Sequence, residues 1–238
     1  MKSMNREVQW RHEYKYLCSF EQSMVLQARA EGVLHSDSHT DEHGIYRIRS
    51  MYLDGYDNQG YLDNDNGVDA RNKYRIRIYN EDVSHIVLEK KSKLHGLNHK
   101  CSCEITEEMC RTFMAGEIPL VTDDMTDELK CLLTEIGCKL LRPVVIVEYE
   151  RTPFVEEQGN VRVTFDREIS SSCDFESFLD IDIVTRPIMQ SGMNVMEVKW
   201  DAYLPEYIKK YMQLDSMKWS TFSKYYLCRK YNCRGGII

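Results

Sequence analysis

The sequence predicts an α+β fold, an antiparallel β-barrel with a charged lumen, flanked by several α-helices that include a C-terminal helical segment. Three observations carry that expectation. Segments with extended periodicity dominate, and several follow one another directly along the chain, which favours antiparallel pairing. Six of them place charges on one face while the opposite face is already apolar or aromatic. Finally, 42% apolar residues with only 5 Pro and 12 Gly in 238 residues exclude disordered and collagen-like chains and supply a real core. A single barrel commonly has this length. Nothing in the composition marks a linker, so one domain spanning 1–238 is expected.

The elements follow in order. Residues 11–17 alternate as a strand. Residues 20–34 show helical spacing of Met24, Leu26, Ala28 and Val33 and lead into a polar loop. Residues 45–53 form a second strand, ending at Asp54-Gly55. The stretch 56–72, rich in Asp, Asn and Gly, reads as a long mobile loop. Residues 73–79 and 85–92 make a hairpin across 80–84, and 99–105 is another strand. Thr106 is placed to cap a helix whose first turn carries Glu107 and Glu108 against the dipole. Residues 123–136 are amphipathic, with Gly137 as a C-terminal stop. Residues 143–153, 161–169 and 195–200 are β-rich. Residues 204–214 and 217–231 read as helical, with Trp219, Phe222 and Tyr226 spaced to pack into a core.

The charges fall where a core is expected. Arg11, Glu13 and Lys15 share a face opposite His12, Tyr14 and Tyr16. Lys73, Arg75 and Arg77 oppose Tyr74, Ile76 and Ile78. Glu89, Lys91 and Lys93 alternate against Leu88, and Tyr149 is spaced with Arg151. Arg162, Thr164 and Asp166 oppose Val161, Val163 and Phe165, and Glu197 and Lys199 oppose Met196 and Val198. One such strand is an ordinary solvent face. Six repeating the pattern are what a barrel with an apolar outside and a charged lumen produces. Nine bases (Arg11, Lys15, Arg75, Arg77, Lys91, Lys93, Arg151, Arg162, Lys199) would face four acids (Glu13, Glu89, Asp166, Glu197) in a chain of net charge −7. That local excess is a site for a polyanion, because Arg forks suit phosphate oxygens. The carboxylates suit a hard divalent metal bridging to phosphate. The acidic overall balance argues against a general nucleic-acid binder.

Nine cysteines without a C-x-x-C spacing read as reduced, mostly buried thiols of a cytoplasmic protein. No apolar stretch at the N-terminus resembles a secretory signal, and none approaches a membrane span, so no membrane insertion is expected. His35, His39 and His43 lie four apart among acids. The segment lacks an apolar period and ends in glycine, so it reads as a solvated loop. The Asp-rich stretch from Asp54 to Asp69 lacks the spacing and closing Glu of a calcium loop.

Taken together, R-x-E-x-K-Y (Arg11, Glu13, Lys15, Tyr16), S-x-Y-x-D (Ser50, Tyr52, Asp54), K-Y-R-I-R-x-Y (residues 73–79), L-E-x-K-x-K (residues 88–93), Y-x-R (Tyr149, Arg151), R-x-T-x-D (Arg162, Thr164, Asp166), E-x-K (Glu197, Lys199) and S-K-Y (residues 223–225) resemble, in order and spacing, the VTC domains of the triphosphate tunnel metalloenzyme (CYTH-like) superfamily. The resemblance spans about residues 7–231. It implies an antiparallel β-tunnel and a metal-dependent polyphosphate polymerase that uses ATP, with Mn²⁺ favoured or Mg²⁺, and inorganic polyphosphate as the other partner. Arg11 stands where the hydrolase branches have the first acid of E-x-E-x-K, which favours the polymerase-like branch. A triphosphatase and a non-catalytic polyphosphate-binding module are the alternatives.

The resemblance assigns roles to individual residues. Arg75, Arg77, Lys91, Arg151, Arg162 and Lys15 would cradle the triphosphate and neutralise charge on the transferred phosphoryl group. Glu197 first, then Glu13, would ligate the metal. Arg11, Tyr149 and Ser223 join the substrate site. Lys199 and Lys93 would extend the basic track, and Lys224 would meet the chain as it leaves.

Overall fold

The computed structural model describes residues 9–37 and 40–232. Ten strands form one antiparallel sheet: β1 (His12–Ser19), β2 (His35–Ser36), β3 (Tyr46–Asp54), β4 (Arg71–Tyr79), β5 (Asp82–Leu94), β6 (Leu97–Ile105), β7 (Arg142–Glu156), β8 (Val161–Ser172), β9 (Arg186–Pro187) and β10 (Met193–Trp200). The helices are α1 (Phe20–Glu31), α2 (Gln59–Asp65), α3 (Glu107–Met114), α4 (Asp127–Cys138), α5 (Glu206–Tyr211) and α6 (Lys224–Asn232). Strand order is β1-β10-β8-β7-β3-β4-β5-β6, with β2 added to β7 and β9 to β8. The sheet curls into a half-barrel. Its edges, β1 and β6, come together at Arg11 and Asn98, whose backbones exchange hydrogen bonds of 2.8 and 2.9 Å.

The core lies outside this curl. On one flank Ile76, Ile78, Ile86 and Leu88 pack beneath Phe113 of α3 and Leu132, Leu133 and Ile136 of α4. On the other, Val163, Phe165, Met196 and Val198 pack beneath Leu26 and Ala30 of α1 and Ile208 of α5. Burying these apolar faces under helices leaves the alternate residues of every strand facing inward. Two hairpins keep the strands in register: Asn80-Glu81 and His95-Gly96 all take positive φ, the two-residue turn geometry that matches strand twist.

Several boundaries depart from the sequence-based expectation. α1 stops at Glu31 and buries Ser23, Leu26 and Ala30, while Met24 is exposed. The Ser19–Gln22 capping box fixes where the helix begins and therefore which face turns inward. The stretch expected to be a loop contains α2. Its first amides, Gly60 and Tyr61, donate to the carboxylate of Asp54 at 3.0 and 3.1 Å, a cap supplied by a preceding strand. α4 starts later than expected, at the Thr126 cap, and runs through Gly137; Leu140 makes the left-handed turn instead. Residues 217–223 are not helical. They run along β1, where the Ser220 amide donates to the Lys15 carbonyl at 2.8 Å. Trp219, expected in the core, is 62% exposed. Cys18, Cys110 and Cys228 are buried thiols, but Cys131 and Cys138 are exposed, so burial holds for only part of the set. No helix among the described residues is long and apolar enough to cross a membrane.

Candidate active site

The inward faces bring opposite charges directly across from one another. Register pairs Lys15 with Glu197 and Glu13 with Lys199 on β1 and β10, Arg75 with Glu89 on β4 and β5, and Arg151 with Asp166 on β7 and β8. At the Arg71 end of β4 a cavity of about 330 Å³ opens. Its walls carry Lys15, Arg71, Lys73, Arg75, Arg77, Lys91, Lys93, Arg151, Lys199 and Lys224 against Glu13 and Glu197. At the Tyr79 end a second cavity of about 870 Å³ shares Glu13, Arg75, Arg77, Lys91, Arg151 and Lys199 and adds Arg11 and Arg162. The two cavities thus lie back to back inside the curl and share these walls.

Acids and bases in this lumen hold each other in place. Asp166, fully buried, accepts two hydrogen bonds from Arg151 at 2.6 and 2.7 Å and lies 2.5 Å from the Lys224 ammonium. Glu197 accepts from Lys224 at 2.8 Å and Lys199 at 2.9 Å. Glu13 accepts from Lys91 at 2.6 Å. The Lys15 ammonium stands between the two glutamates, 3.1 Å from Glu13 and 3.4 Å from Glu197. Glu89 lies 2.6 Å from Arg75 and 2.8 Å from Lys100. Arg75 also donates to Tyr52, and Arg77 to Ser50 at 3.1 Å and Tyr149 at 3.4 Å.

Burial acts to raise the pKa of Glu13 and Glu197, but the surrounding ammoniums overcome it and hold both well below the ordinary carboxylate range. Both are therefore ionised oxygen donors at neutral pH. Burial, only partly offset by Glu13, brings Lys91 down to about 8. Burial also lowers Lys73, and neighbouring Lys15, Lys91 and Arg71 push the same way, leaving it well below the ordinary lysine range.

The expected residues are brought together with three adjustments. Lys15, Arg75, Arg77, Lys91, Lys93, Tyr149, Arg151, Glu13, Glu197, Lys199 and Ser223 all line the first cavity. Arg11 and Arg162 sit at the opposite mouth, where Arg11 pairs with Asp201 at 2.7 Å and Arg162 donates to Asp37 at 2.6 Å and to Tyr46 at 2.8 Å. Lys224, expected at an exit, is instead buried between Asp166 and Glu197, because α6 caps the first mouth and points it inward. Glu89 and Asp166, expected to line the lumen, lie beneath its walls as anchors for arginines. Lys73, which the alternation places beside Arg75 and Arg77 but to which the sequence assigns no site role, also lines the first cavity. It shares the face of Arg75 and Arg77 and donates to Asn64 at 2.6 Å and Ser223 at 2.9 Å; the alternation of K-Y-R-I-R already placed it there. Of the spaced histidines, His35 sits on β2 and His43 is exposed 3.6 Å from Glu42, while His39 lies outside the described residues.

Glu13 and Glu197 are the lumen carboxylates that could offer oxygens to a divalent metal. One cation, the Lys15 ammonium, already spans both carboxylates. Across the strand pair from Glu197, the buried Thr164 Oγ1 makes no hydrogen bond. No cluster of three or more His, Cys, Asp or Glu side chains is assembled among the described residues. The remaining ligands would therefore come from phosphate and water, the arrangement typical of Mg²⁺ held by one or two carboxylates.

A curled antiparallel sheet with its apolar face outward and basic cavities inside is a fold that this chain shares with solved structures. HpAC1 from Hippeastrum, a protein assigned as an adenylyl cyclase and described as revealing a dominant triphosphatase activity, has a similar fold: TM-score 0.55, 14% identity, 94% of this chain and 96% of that one covered. So does the PH1819 protein from Pyrococcus horikoshii OT3: TM-score 0.50, 14% identity, coverage 93% and 99%. No curated protein sequence matches the chain. The VTC domain matches residues 10–231, and the chain belongs to the VTC domain family.

Proposed function

We propose that the protein is a metal-dependent polyphosphate polymerase that transfers the γ-phosphoryl group of ATP to a growing polyphosphate chain inside the tunnel. The observation that supports this reading is the pair of basic cavities at opposite ends of β4 that share Arg75, Arg77, Lys91 and Arg151. A polymerase needs a second path, because its acceptor is a long chain that must lie in line with the donor.

The terminal phosphate oxygen of the acceptor attacks the γ-phosphorus. The bond from that phosphorus to the β–γ bridging oxygen breaks, and ADP leaves with the electron pair. No protein nucleophile is required, and the acceptor oxygen is already ionised at neutral pH. Arg75, Arg77, Lys91 and Arg151 line both cavities and so flank the junction of donor and acceptor. They neutralise charge spreading over the equatorial oxygens. Lys15, Lys93, Lys199, Tyr149, Ser223 and Lys224 hold the phosphates on one side, and Arg162 and Arg11 hold the chain on the other. Glu197 and Glu13 would hold Mn²⁺ or Mg²⁺, which supplies charge neutralisation on the bridging phosphates.

The test is incubation of the pure protein with ATP and Mn²⁺ or Mg²⁺, followed by product sizing. ADP with polymer of increasing length is expected. Free phosphate without polymer would replace this reading by a triphosphatase, and tight polyphosphate binding without ATP consumption would replace it by a binding module.

A further inference from the structure

Arg75 and Arg151 are braced by acids that stand directly across the strand ladder. Arg75 donates to Glu89 at 2.6 Å, and Arg151 makes two hydrogen bonds to Asp166 at 2.6 and 2.7 Å. Arg162 is braced differently. Its side chain is 35% exposed and lines the cavity at the Tyr79 end of β4 with Tyr46, Arg151 and Lys199. One terminal nitrogen of its guanidinium donates both to the buried carboxylate of Asp37 at 2.6 Å and to the Tyr46 hydroxyl at 2.8 Å. Its Nε is also buried and has no hydrogen-bond partner among the described residues. Asp37 follows the two-residue strand β2, which pairs with β7 at Val155 and Phe154, so this acid reaches Arg162 from outside the β8–β10 ladder. A buried donor left unpaired beside a basic cavity is costly, and an anionic oxygen arriving in that cavity relieves the cost.

We propose that Asp37 is a specificity-determining residue: it competes with polyphosphate for the Arg162 fork, so a chain long enough to reach this cavity binds by displacing it. This rests on the reading of the lumen as a polyphosphate site and adds the residue that sets how tightly the polymer is gripped. A carboxylate and a phosphate offer a guanidinium the same oxygen geometry, so each excludes the other from the shared nitrogen. Such competition keeps the grip reversible, which a growing chain needs because it must shift along the lumen after every addition. Arg162 lines the cavity at the Tyr79 end and not the first cavity. Tripolyphosphate seated in the first cavity therefore stays clear of it, and Asp37 acts on long chains alone.

The test measures affinity for long-chain inorganic polyphosphate and for tripolyphosphate in wild type, Asp37→Asn, Arg162→Ala and the double variant. Asp37→Asn keeps the shape and removes the charge. It should bind long chains roughly tenfold more tightly and tripolyphosphate as wild type does. Loss of a negative charge near the lumen also favours any polyanion through the general field, and the double variant separates the two causes. Without Arg162 the gain from Asp37→Asn should disappear, whereas a field effect would survive. Should Asp37→Asn fail to fold, Tyr46→Phe removes the second tether on the same nitrogen and should tighten long-chain binding in the same direction. Unchanged long-chain affinity, an equal gain for both ligands, or a gain that persists without Arg162 overturns the proposal while leaving the lumen reading intact. Absence of binding of either polyanion to wild type would instead sink the lumen reading, and this proposal with it.

Discussion

Lys73 is a half-buried ammonium whose hydrogen-bond partners, Asn64 and Ser223, are both neutral. Its depressed pKa means that the folded protein gives up this proton more readily than the unfolded chain does. Between that lowered value and the ordinary lysine value near 10.4, the unfolded state binds the extra proton, so this residue makes stability rise with pH in that window. A bound polyphosphate would reverse the balance by supplying the missing countercharge. Lys73→Met should therefore raise the melting temperature of the free protein by a few degrees while weakening tripolyphosphate binding about tenfold. Calorimetry with and without ligand measures both, and a fall in both would show that Lys73 is structural. Glu197→Gln should separate binding from catalysis. Polyphosphate affinity should stay within about threefold, because the lumen becomes more basic, whereas turnover should vanish with the loss of a charged metal ligand. Arg75→Ala should instead lower binding and turnover together, since a fork to phosphate is lost. Affinity and ATP consumption measured on the same two variants distinguish these outcomes. The inward charges were legible because strand periodicity is two and the pattern recurs in six strands. The burial of Lys224 was not, because it depends on how α6 docks more than 20 residues beyond the last long strand.

At the scale of elements, Asp54 ties together a strand and two helices. Its carboxylate accepts from the amides of Gly55, Gly60 and Tyr61 at 2.9–3.1 Å and from the Tyr225 hydroxyl at 2.5 Å. It thereby caps α2 and seats α6, the helix that carries Lys224 to Asp166 and Glu197. Removing so many acceptor contacts at once leaves buried donors unpaired, each costing about 1–3 kcal/mol. Asp54→Ala should lower the melting temperature by roughly 5–10 °C and weaken tripolyphosphate binding, although Asp54 does not line the first cavity. Unchanged affinity at full occupancy would uncouple α6 from the site. This linkage also explains what the sequence concealed. α2 carries no side-chain cap of its own and follows a left-handed Asn58, so its composition looked like a loop. Residues 217–223 looked helical from their aromatic spacing, but β1 offered an unpaired edge and captured their backbone. By contrast, Thr106 announced α3 correctly, since its hydroxyl accepts from the Met109 amide as an ordinary local cap.

For the whole molecule, the lumen concentrates positive charge inside a chain of net charge −7. Repulsion among these bases opposes the ligand-free fold, and a polyanion relieves it. Tripolyphosphate at about a hundred times its Kd should stabilise the protein by about 2.7 kcal/mol, and affinity should fall steeply as salt rises. A melting temperature insensitive to tripolyphosphate, or an affinity insensitive to salt, would contradict a lumen that works by charge. The fold also has a seam. Most strand pairs are joined by long ladders, whereas β1 and β6 are joined at the reciprocal backbone pair of Arg11 and Asn98. So short a seam should open more readily than a full ladder. Its amides should exchange with solvent deuterium through brief local openings while those of β7 and β8 remain protected. A lumen that unlatches along its side need not be threaded from a free end. A long polymer could be laid into it at an interior segment, so blocking the termini of a polyphosphate chain should leave its capture rate largely unchanged.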